Sequence, residues 1–202
     1  MKKGLLIVVS GPAGSGKGTV NAHLLKRDEF VYSVSATTRA PRPGEVNGVN
    51  YHYITVEDFK GRIQRGEMLE YTEYCGNYYG TPLKEAEEVL ASGKNLILEI
   101  EVEGAHNVKA RYPDAVLIML LPPSFSVQEQ RLRSRGTETE EKILERLARA
   151  KEEIRFAYDY DYVVYNYDGK DTEAAEQILA IVSAENCSLK RNGAVADNYL
   201  AN

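Results

Sequence analysis

The sequence predicts an α/β fold: a mostly parallel five-stranded sheet covered by helices on both faces, with a small antiparallel lobe inserted. Three observations predict it. Short, continuous apolar runs alternate with stretches of helical periodicity, the order of a parallel sheet wound with helices. The first of these runs stops at a glycine-rich turn that opens straight into a helix. Residues 35–80 then break the rhythm with the period-two alternation of small antiparallel strands.

The predicted strands are residues 5–9, 30–34, 96–100, 116–121 and 162–165, whose unbroken apolarity implies burial on both faces. Helical periodicity runs through residues 17–26, 83–91, 127–135, 139–158 and 172–184. In the inserted stretch, Tyr51, Tyr53 and Thr55 alternate, as do Leu69, Tyr71 and Glu73, among many tyrosines and the prolines Pro41 and Pro43. Residues 1–185 therefore read as one domain: a core of 1–34 and 82–185, and the lobe at 35–81. Residues 186–202 read as a polar, weakly structured tail.

Composition narrows the function classes. The chain has 202 residues, 43% of them hydrophobic, enough for a sizeable core. Its formal charge of −5 is spread through the sequence, which argues against a nucleic-acid footprint and for small-molecule substrates. Cys75 and Cys187 are too far apart in sequence for a metal motif or a disulfide framework, so a reducing compartment, the cytoplasm, is expected. The apolar run at 5–9 is shorter than the roughly 7 to 15 residues of a secretory signal. No run approaches the roughly 18 residues of a membrane span.

The chemistry starts at the first turn. Gly11-Pro12-Ala13-Gly14-Ser15-Gly16-Lys17-Gly18-Thr19 fits G-x-x-x-x-G-K, in which glycines let successive backbone N–H groups curl around a polyphosphate and the lysine reaches its β and γ phosphates. A strand before it and an amphipathic helix after it supply the context, and the helix N-terminus adds partial positive charge. The hydroxyl that usually follows the lysine and ligates Mg2+ is replaced by Gly18. Thr19 is turned about 100 degrees away by helical geometry, so Mg2+ is expected to keep more of its waters. Ser35, Arg39, Arg42 and Tyr51 then crowd hydroxyls, guanidinium forks and a phenol into one short stretch, the makings of a second anion site.

With the phosphate loop, "TTRAPRPGEVNGVNY", "GNYYGTP", "LEIEVEGA" and "RGTETEEKILERL" stand in the order and at the spacing of the guanylate kinase family, which the chain resembles over about residues 4–185. The resemblance implies the P-loop nucleoside monophosphate kinase fold, with the inserted lobe binding GMP and a helical lid at about 126–158 within the core, and transfer of a phosphoryl group from ATP to GMP with Mg2+. It implies Gly11 to Thr19, Arg131 and Arg135 as contacts to ATP. Ser35, Arg39, Arg42, Tyr51 and Tyr79 become ligands of the GMP phosphate, and Glu70 and Thr81 readers of guanine. Lys17, Arg39, Arg135 and Arg146 become the catalytic cations. Glu99 and Glu101, read as sharing one face of a strand end, could order Mg2+-bound water or contact GMP, and which does which stays open. No direct metal ligand is assigned.

Arg133 and Arg149, at helical spacing, read as a solvated face, and His23, His52 and His106 as structural or surface residues. Two other readings remain: a related kinase of another small phosphate, against which Glu70 and Thr81 argue, and a non-catalytic protein-binding module of the same fold, against which the intact phosphate loop argues.

Overall fold

In a computed structural model, which describes residues 3–74, 76–134, 136 and 139–201, two sheets organise the chain. The larger has the order β2-β7-β1-β8-β9, from β1 (Leu6–Ser10), β2 (Phe30–Tyr32), β7 (Asn95–Leu98), β8 (Val116–Leu121) and β9 (Tyr162–Tyr165). All of its pairings are parallel. The second contains β3 (Ala36–Thr37), β4 (His52–Tyr53), β5 (Met68–Tyr74) and β6 (Asn77–Pro82) in the order β4-β3-β6-β5, antiparallel except for the pair β3 and β4.

Period two explains why the central strand has no polar face. Leu5, Ile7 and Val9 pack into one core layer with Val20 and Leu24 of α1 (Lys17–Leu24) and Ile178 and Val182 of α7 (Asp171–Cys187). Leu6 and Val8 pack into the opposite layer with Ala86 and Leu90 of α3 (Leu83–Ala91) and Ala105 and Val108 of α4 (Val102–Arg111). A strand apolar at every position is what a sheet covered on both faces requires. A smaller core of Ala36, Phe59 and Met68 holds the lobe together, with Phe59 supplied by α2 (Val56–Gln64).

Several expectations change. Thr55 does not continue a strand but caps α2, accepting a hydrogen bond from the Asp58 backbone N–H at 3.1 Å. β7 ends at Leu98, so Glu99 and Glu101 do not share a strand face; Glu101 occupies the N-cap position of α4. The predicted helix 139–158 divides into α6 (Glu140–Glu153) and a 3-10 turn (Ile154–Asp159). It follows α5 (Phe125–Ser134) in the lid region. The tail is not without structure, since α7 runs on to Cys187 and a short α8 spans Val195–Leu200. Among the described residues no helix is long and apolar enough to cross a membrane.

Candidate active site

The site collects at the carboxyl ends of β1, β7 and β2, where ligands bind in open parallel sheets. The turn after β1 is glycine-dependent for two separate reasons. A Cβ on Gly11 would stand 2.1 Å from the Leu120 carbonyl oxygen of β8, so only a bare backbone lets the loop leave the sheet there. Gly16 has φ 90°, and a Cβ on it would meet Asn166 Nδ2 at 2.3 Å. Gly18 is different: a Cβ there would meet nothing within 4 Å. Lys17 lies back over its own loop, donating to the Gly11 carbonyl at 2.5 Å, and Thr19 is exposed.

The loop is braced from behind. Asn166 donates to the Ser15 carbonyl at 2.9 Å, Gln128 to Ala13 at 2.9 Å, and Arg131 to Gly14 at 3.3 Å. Arg131 also donates to the Asn166 carbonyl at 2.8 Å and pairs with Asp168. Buried side-chain oxygens without a partner concentrate here, at Ser10, Ser15, Asn21 and Asn166. Such atoms are uncommon in folded proteins.

Facing the loop, a cavity of about 230 Å³ is lined by Ser35, Tyr51, Glu70, Tyr79, Glu99, Glu101 and Arg146, among others. Glu70 is 5% exposed and Thr81 fully buried; the Thr81 hydroxyl donates to Glu70 Oε1 at 2.8 Å. Burial pushes the Glu70 carboxyl up to about 7, against the lowering effect of Thr81. Gly104 permits this packing, because a Cβ there would lie 3.1 Å from Glu70 Oε2. Beside the cavity, the Arg39 guanidinium sits 5.5 Å from the Tyr51 ring centroid and donates to both Glu45 oxygens at 3.0 Å. The Arg42 backbone N–H, the Tyr53 hydroxyl and Arg39 together hold the Glu45 carboxyl down at about 2.

The family model described as "Guanylate kinase" matches residues 3–184. The chain belongs to the guanylate kinase family. It is 54% identical over 191 residues to a guanylate kinase of Halalkalibacterium halodurans, covering 94% of this chain and 93% of that one. A Clostridium tetani guanylate kinase is 46% identical, with 95% and 91% covered. The crystal structure of guanylate kinase from Anaplasma phagocytophilum superposes with a TM-score of 0.76 at 33% identity, covering 95% of this chain and 90% of that one.

The guanylate kinase reading of the sequence names more residues than the cavity wall contains. Ser35, Tyr51, Glu70, Tyr79 and Glu101 line it, Thr81 reaches it through Glu70, and Arg39 flanks it. Arg42 is exposed on the lobe, and its backbone rather than its side chain contacts Glu45. Arg146 comes to the cavity from α6, whereas Arg131 braces the phosphate loop. Arg135 and Cys75 lie outside the described residues. Arg133 pairs with Glu129 and Glu140 on the lid surface, and Arg149 with Glu153. The histidines lie beside Asp171, Glu85 and Asp159.

Asn166, Gln128, Asp168 and Asn21 escaped the sequence reading, because lone amides and a lone carboxylate carry no spacing pattern. Asn166 had one signal, its place immediately after a predicted strand end.

Proposed function

We propose that ATP lies on the loop of residues 11–19, that GMP fills the facing cavity, and that the γ-phosphoryl group crosses the gap between them to give ADP and GDP. The observation that carries this reading is the buried Glu70 and Thr81 pair opposite a phosphate loop. An ionised Glu70 accepts from guanine N1–H and the exocyclic amine, and the Thr81 hydroxyl is free to turn and donate to O6 once the base takes over Glu70. Adenine, with a lone pair at N1 and no amine at C2, brings Glu70 neither of these donors, and its C6 amine cannot accept from Thr81.

Each cation has a task. Lys17 gives up its carbonyl partner at Gly11 to follow the migrating phosphoryl group, and Arg39 leaves Glu45 for the GMP phosphate, joined by Arg42, Ser35, Tyr51 and Tyr79. Arg146 reaches the GMP side from the lid, Arg135 adds its charge to the ATP phosphates, and Arg131 keeps the loop in shape. Positioning and charge neutralisation are what phosphoryl transfer demands.

Among the described residues no group of three or more His, Cys, Asp or Glu could cage a metal ion. Mg2+ keeps several waters and leans on one or two carboxylates and the substrate phosphates. Glu99 would hold it through water, with Glu101 beside GMP, and it would neutralise phosphate charge when bound. A cytoplasmic setting suits this chemistry.

Incubating the protein with ATP, Mg2+ and each of GMP, AMP, CMP, UMP and ribose 1,5-bisphosphate, and following ADP release, tests the reading. Turnover with GMP is expected; turnover with another acceptor alone points to a related kinase, and none with any acceptor points to a binding module.

A further inference from the structure

Outside the groups assigned above, the described structure holds one buried side chain bonded directly to an acid of the reaction gap. Asn21 lies in α1, one turn beyond Gly18 on the same helix face, and is 1% exposed. Its Nδ2 donates to Glu99 Oε2 at 2.9 Å, while its own Oδ1 is buried without a partner. The amide orientation is fixed by chemistry, since a carboxylate can only accept. A buried, unpaired carbonyl oxygen is a cost that an apolar side chain of similar shape would not carry. What the asparagine supplies in return is the bond to Glu99.

A second donor meets the same oxygen. The Tyr32 hydroxyl at the end of β2 donates to Glu99 Oε2 at 3.3 Å, and burial followed by the Glu99 charge pushes that phenol upward. With both donors on Oε2, Oε1 is left to the cavity that Glu99 lines. Glu99 sits past the end of β7, where no ladder fixes its backbone. Without these donors its side chain would sample several rotamers across the gap.

The geometry points to Asn21 as a positioning residue: anchored in the helix that carries the phosphate loop, it holds the Glu99 carboxylate in one orientation between the two nucleotides. This matters more in a chain with Gly18, where the loop offers no hydroxyl of its own at that place and open space surrounds the position. The inference rests on the phosphoryl-transfer reading and adds a specific mechanical link to it.

A double-mutant cycle tests it. Asn21→Leu keeps the γ-branched shape, in a larger side chain, and removes the donor; Tyr32→Phe removes the weaker donor at a partly exposed site. Asn21→Leu is expected to lower kcat by roughly 10- to 100-fold, the range of a hydrogen bond to a charged group. KM for ATP, ATP binding measured in EDTA and the melting temperature should stay near wild type. In a Glu99→Ala background neither substitution should cost anything further, because no carboxylate remains to be held. Tyr32→Phe should show the same pattern at smaller size, and it carries the test if Asn21→Leu does not fold.

Wild-type kcat in Asn21→Leu, or losses that multiply with that of Glu99→Ala, would overturn the assignment. An unmutated enzyme that does not phosphorylate GMP would instead sink the functional reading, so the two failures are distinguishable.

Discussion

Glu70 should make GMP capture depend on pH between 6 and 8, a window in which an ordinary surface carboxylate stays ionised and gives no dependence. The carboxyl is 5% exposed, and burial raises it to about 7, so near neutrality it is half protonated in the free enzyme. Guanine presents two donors to it, which only the ionised form can accept together, so binding expels a proton. For a group of pKa about 7 the ionised fraction is about 0.9 at pH 8 and about 0.1 at pH 6, and KM for GMP should rise about 10-fold over that fall. Part of any such rise belongs to GMP itself, whose phosphate monoester titrates near pH 6. Glu70→Gln separates the two, keeping the phosphate contribution and losing the carboxyl's. The stability sign runs the other way: a carboxyl raised above 4.5 in the folded state favours folding at low pH, and this is lost as pH climbs through about 7. The free enzyme should lose about 1 kcal/mol from this group between pH 6 and 8, and saturating GMP should recover it. Steady-state KM across pH 6 to 8 in both proteins is the assay. Parallel wild-type and Glu70→Gln profiles would refute the argument.

Lys17→Ala should cut kcat by about 10²- to 10³-fold with the melting temperature retained, because the lysine rests on loop carbonyls and its work lies in the transition state; near wild-type turnover in a folded variant would remove it from the site. Arg39→Ala should raise KM for GMP by roughly 10-fold or more while leaving KM for ATP unchanged, with Arg42→Ala acting the same way to a smaller extent; equal loss for both nucleotides in a kinetic titration would contradict the second anion site. Gly16→Ala should lower the melting temperature by about 5 °C in calorimetry, since both a left-handed φ and a 2.3 Å approach to Asn166 oppose the methyl, and an unchanged transition would show that the loop relaxes around it.

Much of this architecture is legible from the chain. The five apolar runs and the loop after the first need no tertiary information, because a doubly covered strand must be greasy at every position and a phosphate cradle must be glycine-rich. The elements that were missed have identifiable causes. α4 carries Gly104 in its first turn, which lowers helix propensity, yet that glycine is what lets the helix approach Glu70. α2 was masked by the alternation of Tyr51, Tyr53 and Thr55, whose last member is a cap. Glu99 and Glu101 were placed on one strand face because β-like alternation outran the strand, which stops at Leu98. The amides that brace the loop, Asn166 and Gln128, act through contacts more than 100 residues distant in sequence, where no local pattern reports them.

Base choice tests the account most directly, because the phosphate machinery is common to many kinases and the proposed selection of guanine rests on Glu70 and Thr81 alone. The measurement is the ratio of kcat/KM for GMP to that for AMP, in wild type and in Glu70→Gln, at a single pH of 8. Wild type should favour GMP by about 10⁴-fold or more, the discrimination of a buried site built to pair with groups the wrong substrate lacks. Glu70→Gln should shrink the ratio, since the amide loses the charge that repels the AMP N1 lone pair and gains a donor that can meet it. A wild-type enzyme indifferent between the two bases, or a ratio untouched by the substitution, would contradict it.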